Sequence, residues 1–151
     1  MNIDMETTII RKLLDKEIST GLELSWKVFC EFEAPDYSDE GVDEFRKSIY
    51  DPDYLKMLEC YGAFVDGDLA GIIALRSEGT HIALFFVRKE YQRQGIGKML
   101  FKEALHHNSS GKMTVNSSPY AVPIYHRLGF SDTDIEQTVN GIRFTPMVIL
   151  F

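Results

Sequence analysis

The sequence has few cysteines, no long apolar run and no excess of positive charge, and each of these shortages excludes a class of protein. Its 151 residues contain two cysteines, Cys30 and Cys60, which are too few for a secreted disulfide scaffold and lack metal-ligand spacing. No apolar run approaches about 18 residues, so we expect no membrane-spanning segment. The first residues lack the basic and apolar blocks of a secretion signal. We therefore expect a cytoplasmic protein with reduced thiols, no membrane association and no metal.

The charge balance argues against nucleic acid as a partner. Asp and Glu total 23 against 16 Lys and Arg, which gives a formal net charge of −7. Such a chain lacks the positive field that attracts phosphate backbones. The segment EYQRQGIGKMLFKEAL carries Arg93, Lys98 and Lys102, but it has no partner helix with which to form a DNA-binding pair. The acidic surface is compatible with a cationic small partner such as an amine.

Apolar periodicity and turn residues predict a single α/β domain over residues 1–151, a length that suits one hydrophobic core. Amphipathic helices are predicted over 16–32 and 95–107, a short helix with an acidic first turn over 39–49, and short strands over 7–13 and 112–115. A further helix ends at Leu128, with Gly129 as its left-handed cap.

Turn signals between β-rich runs predict antiparallel strands in both halves of the chain. After Cys60, Asp66-Gly67-Asp68 and Ser77-Glu78-Gly79 separate three such runs, which predicts a meander. Asn140-Gly141 predicts a two-residue hairpin near the end. The third meander strand, the helix after it and strand 112–115 form a crossover unit, whose strands pair in parallel. The expected sheet is mixed, with about seven strands.

The glycines that open the predicted 95–107 helix suggest an anion site. A Walker loop has a longer run between its glycines and then a hydroxyl residue, whereas Met99 follows Lys98 here. A dinucleotide fingerprint needs a small residue where Leu100 stands and an acidic residue about 20 positions later, where VNSSPY has none. The sequence therefore does not match that motif. The remaining pattern, with bare backbone at Gly95 and Gly97, exposes amides to an anion at the positive end of a helix. A tight strand-to-helix turn would use the same glycines without any ligand.

A second segment, about 20 residues after that helix, extends the pattern. Gln92-Arg93-Gln94-Gly95-Ile96-Gly97, followed by Tyr125-His126-Arg127-Leu128-Gly129-Phe130, resembles the GNAT superfamily of acetyl-CoA-dependent N-acetyltransferases. The resemblance covers residues 60–150, and the terminal NGIRFTPM is similar to a bacterial subgroup. It implies a GNAT-like α/β fold with a mostly antiparallel sheet, splayed central parallel strands and four or so helices.

The resemblance also implies roles for individual residues. The pantetheine arm of acetyl-CoA would pair with backbone groups of Phe86 and Val87, and an amide of Phe85 or Phe86 would polarise the thioester carbonyl. The other residues expected to bind the coenzyme are Gln92, Arg93, Gln94, Gly95, Ile96, Gly97, Lys98, Asn116 and Tyr125. Tyr125 matches the family's catalytic acid. Asn116 has an alternative role, which is to cap the helix that follows it.

The acceptor side is less defined. The end of the first helix lines the acceptor pocket in this superfamily, so Glu31, Glu33 and Tyr37 are candidate substrate-binding residues, with Asp36 nearby. His81 is a further candidate if its side chain faces the pocket, and the identity of the general base stays open. The implied function is transfer of an acetyl group from acetyl-CoA to a small or peptidyl primary amine by direct attack in a ternary complex. The alternative is a non-catalytic acetyl-CoA sensor or interaction module, and a homodimer is plausible for either.

Overall fold

The computed structural model describes residues 7–151, which form one twisted sheet with helices on both of its faces. The helices are α1 (Ile18–Phe32), α2 (Asp39–Ile49), α3 (Pro52–Leu55), α4 (Ile96–His106) and α5 (Val122–Leu128). The strands are β1 (Thr8–Lys12), β2 (Glu59–Val65), β3 (Asp68–Arg76), β4 (His81–Val87), β5 (Lys112–Ser117), β6 (Ser131–Asp132), β7 (Gln137–Val139) and β8 (Ile142–Leu150). Part of the segment examined for a secretion signal, residues 1–6, lies outside the described residues.

The sheet is mixed and mostly antiparallel, as predicted. Its strand order is β1-β2-β3-β4-β5-β8-β6, and β7 pairs with the first three residues of β8. Among the described residues, β4 and β5 form the single parallel pair, and α4 makes the crossover between them. No helix in residues 7–151 is long and apolar enough to cross a membrane.

The two central strands separate soon after they meet. Parallel pairing joins His81 to Thr114 and Ile82 to Val115, and no further pairs follow. Beyond this point β5 stays paired with β8 through Ser117. The inner edge of β4 therefore faces a gap, which confirms the predicted splay.

A β-bulge lies where the pairing of β4 with β5 stops. On the β3 side, Leu75 pairs with Ile82 and Ala74 pairs with Leu84, so Ala83 is an extra residue. The insertion turns the strand, and Ile82 packs into the core cluster under α4 while Leu84 packs into the cluster under α1. The bulge thus marks the mouth of the gap.

Each face of the sheet has its own apolar core. One contains residues such as Ile73, Leu100 and Met113, and the other includes Phe29 and Ile72, all of them almost fully buried. Strands β2 and β3 are covered on both faces, which explains their continuous apolar sequence. The two cores fix α4 and α1 on opposite sides of the gap.

The predicted long elements are confirmed, and the differences concern short ones. The structure has five helices and eight strands rather than about four and about seven. The additional elements are the single-turn helix α3 and the two-residue strand β6. The hairpin turn is confirmed, since Asn140 and Gly141 both have positive φ (52° and 79°), as a type I′ turn requires. Gly129 is also confirmed as a left-handed cap, with φ of 109°.

The hairpin tip packs against the start of α2. A Cβ atom placed on Gly41 would overlap the carbonyl oxygen of Gly141, and one on Gly141 would overlap the backbone nitrogen of Gly41. Two glycines in contact therefore let α2 and the hairpin approach each other closely. This contact fixes two walls of a cavity that is described below.

The cysteines do not form a disulfide with each other. Cys30 is exposed on α1, and Cys60 is buried on β2, where burial raises the pKa of its thiol to about 11. Within residues 7–151, no group of acidic, histidine and cysteine side chains has the geometry of a metal site.

Candidate active site

The first turn of α4 presents backbone amides that no side chain caps. Gly95 is the N-cap residue, with φ of 85° and ψ of 0°, and the first helical bond runs from Met99 N to Gly95 O. The amides of Ile96, Gly97 and Lys98 thus have no acceptor within the helix. A Cβ atom on Gly95 would meet no other atom within 4 Å, so the space in front of these amides is open. Uncapped amides, a helix N-terminus and open space fit an anionic group.

The two glutamines of the loop hold its shape. Gln92 Nε2 donates to Val87 O at 3.0 Å, and Gln94 Nε2 donates to Glu90 O at 3.2 Å. The Gln94 Oε1 atom is buried, and no donor in residues 7–151 reaches it. Arg93, which has φ of 63°, and Lys98 are exposed and add positive charge beside the open space. The side chain of Ile96 is 1% exposed in the core, so only its backbone faces the loop.

The register of β4 determines which backbone groups face the gap. Arg88 N donates to Ala70 O at 2.8 Å, so the Arg88 amide points toward β3. Because backbone groups alternate along a strand, those of Phe86 also point toward β3, and those of Phe85 and Val87 point into the gap. Of the two residues predicted to pair with the pantetheine arm, Val87 has the suitable direction and Phe86 does not. The backbone groups of Phe85 have the direction that was expected of Phe86.

Tyr125 lies on α5 with its ring in the core. Its ring centroid is 6.2 Å from that of Phe85 and 5.3 Å from that of Phe130, and the residue is 7% exposed. Burial, followed by the nearby negative charge of Glu33, raises the pKa of the Tyr125 phenol above its usual value. The hydroxyl is therefore protonated at neutral pH.

Glu33 lies at the C-terminal end of α1 and is only partly exposed. Burial raises the pKa of its carboxyl to about 7, a hydrogen bond with the Ser118 side chain opposes this rise, and the charge of Asp36 adds to it. Ser118, which is 7% exposed, follows directly after β5. The sequence prediction missed Ser118 because nothing in the chain order indicates that it meets the end of α1.

An aromatic contact holds α1 against the loop after β5. The rings of Phe32 and Tyr120 are stacked, with centroids 5.3 Å apart and planes 28° apart. Phe32 directly precedes Glu33, and Tyr120 follows Ser118 by two positions. The contact therefore keeps Glu33, Ser118 and Tyr125 together at the open end of the gap.

A cavity of about 250 Å³ lies on the α1 and α2 side of the sheet. Its lining residues come from α2, β5, the β7–β8 hairpin and the loop after α1: Tyr37, Glu44, Asn116, Val139, Asn140, Ile142 and Phe144. Burial, followed by the charge of Glu33, raises the pKa of the Tyr37 phenol above its usual value. Tyr37 N donates to Ala34 O and Asp36 N donates to Glu33 O, both at 3.0 Å, so one tight turn joins this wall of the cavity to Glu33. Asn116 is part of the wall, within strand β5 rather than at its end.

Two candidate residues lie apart from this group. Glu31 is exposed on α1. His81 opens β4 at the paired end of the two central strands, where its Nδ1 is 2.8 Å from Thr114 Oγ1. Burial and then the charge of Arg76 lower the pKa of the His81 imidazole to about 4. The structure thus brings Glu33, Tyr37, Asn116 and Tyr125 together, but not Glu31 and His81.

Comparisons with known proteins agree with this architecture. The sequence profile of the acetyltransferase (GNAT) domain matches residues 33–151. An uncharacterized N-acetyltransferase of Bacillus subtilis, YvbK, is 31% identical over 127 residues, covering 70% of this chain and 80% of that protein.

Solved structures share the fold at low sequence identity. A GCN5-related N-acetyltransferase from Rhodopseudomonas palustris superposes with a TM-score of 0.81 at 19% identity, over 100% of both chains. The PaiA N-acetyltransferase from Thermoplasma acidophilum, solved with coenzyme A, gives 0.73 at 22% identity, over 95% of this chain and 99% of that one. The solved structures show the fold, and the family profile together with the Bacillus relative identifies the chain as a member of the GNAT family of acetyl-CoA-dependent acetyltransferases.

Proposed function

We propose that the protein transfers the acetyl group of acetyl-CoA to a primary amine by direct attack, with both substrates bound at once. The observation that carries this proposal is the gap between β4 and β5, which Tyr125 borders through the contact of its ring with that of Phe85. Glu33 lies near enough for its charge to raise the pKa of the Tyr125 phenol. The Glu33 carboxyl has a pKa of about 7, and the Tyr125 phenol has a raised pKa and is protonated. They form a base and acid pair suited to transferring an acyl group to nitrogen.

The coenzyme's diphosphate would occupy the open space in front of α4. The amides of Ile96, Gly97 and Lys98 would donate to it, and the side chains of Arg93 and Lys98 would add charge. Phe85 and Val87 would hold the pantetheine arm through their backbone groups, as an added strand edge. When bound, the coenzyme supplies an activated acetyl thioester. The Thermoplasma PaiA structure contains coenzyme A, which supports this assignment.

The amide of Phe85 is directed into the gap and would polarise the thioester carbonyl. The rings of Phe85 and Tyr125 are also in contact, so the amide donor and the acid belong to two neighbouring residues. Holding both reactants in the gap converts a bimolecular step into an oriented one, which accounts for a large share of the rate.

Glu33 would accept the proton that the amine nitrogen releases as the carbon–nitrogen bond forms. A carboxylate with a pKa of about 7 is a stronger base than an ordinary one, yet it is still half ionised at neutral pH. Tyr125 would donate a proton to the sulfur as the carbon–sulfur bond breaks. Solvent then removes the proton from Glu33 and restores Tyr125, so the products are an N-acetyl amine and a free thiol.

A thiol-release assay tests the function directly. The protein is incubated with acetyl-CoA and a panel of primary amines, free thiol is followed over time, and the acetylated amine is identified by mass spectrometry. We expect thiol release that depends on the amine and matches the product in amount. Binding of acetyl-CoA without amine-dependent release across the panel would instead favour the non-catalytic sensor.

A further inference from the structure

The cavity of about 250 Å³ on the α1 and α2 side of the sheet, called the acceptor-side cavity from here on, has apolar side walls and a carboxylate from α2. Val139, Ile142 and Phe144 form the apolar part, and Glu44 contributes the carboxylate. Glu44 is partly buried, and it forms no ion pair with any residue in the range 7–151. A partly buried carboxylate without a partner binds a cation more strongly than a fully solvated one does.

The groups around the cavity are acidic overall. Glu33, Asp36 and Arg143 all lie close enough to influence the pKa of Tyr37. The arginine is already engaged, since its Nε and Nη2 atoms donate to Glu136 at 3.2 Å each and its Nη1 atom donates to the Asp36 carbonyl at 3.0 Å. Its charge is therefore offset, and the surroundings disfavour an anionic acceptor.

The cavity wall at Tyr37 is one turn of backbone away from the proposed catalytic base. Tyr37 N donates to Ala34 O at 3.0 Å and Asp36 N donates to Glu33 O at 3.0 Å, so this turn places Glu33 next to the residue that lines the cavity. One carboxylate thus lies beside the reacting end of the site and another, Glu44, lies in the cavity wall. Apolar side chains line the same cavity and suit a methylene chain.

We propose that the acceptor is an aliphatic diamine, with one amino group directed to Glu33 and the other bound as an ammonium by Glu44. Asn116 and Asn140 also line the cavity, and each has an amide oxygen that can accept from the same ammonium group. This proposal rests on the proposed acetyl transfer and specifies its substrate class.

Three amines with the same number of carbon atoms separate the contribution of the far-end charge from that of the carbon chain. Putrescine, n-butylamine and γ-aminobutyrate carry an ammonium, a methyl and a carboxylate group at the far end. We expect kcat/KM to be highest for putrescine, roughly tenfold lower for n-butylamine because a charge-assisted contact is lost, and lowest for γ-aminobutyrate. In the Glu44→Gln variant the advantage of putrescine over n-butylamine should vanish, mainly through a higher KM for putrescine.

A matched variant and a binding measurement complete the test. Glu40 lies on the same helix, is exposed and does not line the cavity, so Glu40→Gln should keep the preference for putrescine. Calorimetric titration of putrescine into the coenzyme A complex should give about tenfold weaker binding in Glu44→Gln than in the wild type. Equal kcat/KM for putrescine and n-butylamine, or a preference that survives Glu44→Gln, would overturn the diamine proposal.

The binding measurement also separates the two proposals. Glu44-dependent putrescine binding without thiol release supports the cavity assignment and contradicts the acetyl transfer. Release with n-butylamine but no Glu44 dependence supports the transfer and contradicts the diamine.

Discussion

The backbones of Gly41 and Gly141 are in direct contact, although the two residues are 100 positions apart in the chain. Gly41 lies in the first turn of α2, and Gly141 is the second residue of the hairpin turn. Neither position has room for a side chain. The pair therefore sets the distance between two walls of the acceptor-side cavity.

Gly41→Ala should disturb that cavity without affecting coenzyme binding. The added methyl group pushes the hairpin away from α2, at a cost of about 1–3 kcal/mol in the free energy of unfolding. We expect KM for the amine to rise and the affinity for acetyl-CoA to stay the same. Ser38→Ala is the matched control, because it removes the side chain that caps α2 at Gly41 N but adds no atom to the contact. A similar rise in KM in both variants would argue against the contact as the cause.

Tyr125→Phe should lower kcat by about a hundredfold, since the acid is lost while the ring remains. The contacts with Phe85 and Phe130 use the ring alone, so the thermal stability should change little. Tyr120→Phe is the control. Tyr120 is 40% exposed, its ring would keep its stacking on Phe32, and the variant should remain active. Unchanged turnover of Tyr125→Phe at pH 8 would contradict the assignment of the acid.

Glu33→Gln should remove a pH-dependent contribution to the rate. Its carboxyl pKa is about 7, so the base form is lost as the pH falls through 7. The ratio of kcat/KM between the wild type and Glu33→Gln should rise to about a hundredfold near pH 8 and decline below pH 7. Taking the ratio cancels the ionisation of the amine. Glu31→Gln, at an exposed neighbouring position, should give a ratio near unity at every pH.

The same carboxyl should make the fold less stable as the pH rises. The pKa of the Glu33 carboxyl is about 7 in the folded protein against an ordinary value of 4.5, so the folded state holds the proton more tightly. This stabilisation is complete below about pH 4.5 and is lost as the pH rises to 7 and above. Relative to Glu33→Gln, the wild type should lose about 3 kcal/mol between pH 4 and pH 8 in urea unfolding. A constant difference across this range would mean that the carboxyl is not buried as described.

Gly95→Ala should weaken acetyl-CoA binding beyond its effect on stability. A left-handed backbone costs a non-glycine residue about 1–2 kcal/mol, and the new methyl group projects toward the open space in front of α4. Gly67→Ala is a close control, because Gly67 has φ of 87° against 85° at Gly95 and has equally open surroundings. Both variants should melt earlier than the wild type, and only Gly95→Ala should lose the several-degree rise in melting temperature that saturating acetyl-CoA gives. An undiminished rise would show that the coenzyme's diphosphate binds elsewhere.

Local patterns were sufficient to predict the long elements of the fold. Helical spacing indicated α1 and α4, an acidic first turn indicated α2, and Asn140-Gly141 indicated the hairpin, because these signals lie within a few neighbouring residues. α3 was missed, since one turn is too short for periodicity. Its signal was the capping pair, in which Asp51 accepts from Asp53 N and Pro52 opens the helix.

The candidate site was predictable only where a motif is continuous in sequence. The loop around Gly95 and the segment around Tyr125 were found in this way, whereas Ser118 and Glu44 join the site through tertiary packing. The bulge at Ala83 also has no signature, because its neighbours are ordinary apolar strand residues. Backbone direction at Phe85 and Phe86 depends on that bulge, so the sequence could not decide between their amides.

The short parallel ladder between β4 and β5 also divides the protein along its chain. Every other pairing of the described strands lies either within the first four strands, β1, β2, β3 and β4, or within the last four, β5, β6, β7 and β8. A backbone cut between exposed Ser109 and Ser110 would leave each of those ladders within one fragment. The fold thus consists of two consecutive pieces of polypeptide that meet at the β4–β5 ladder, and the proposed chemistry takes place along this boundary.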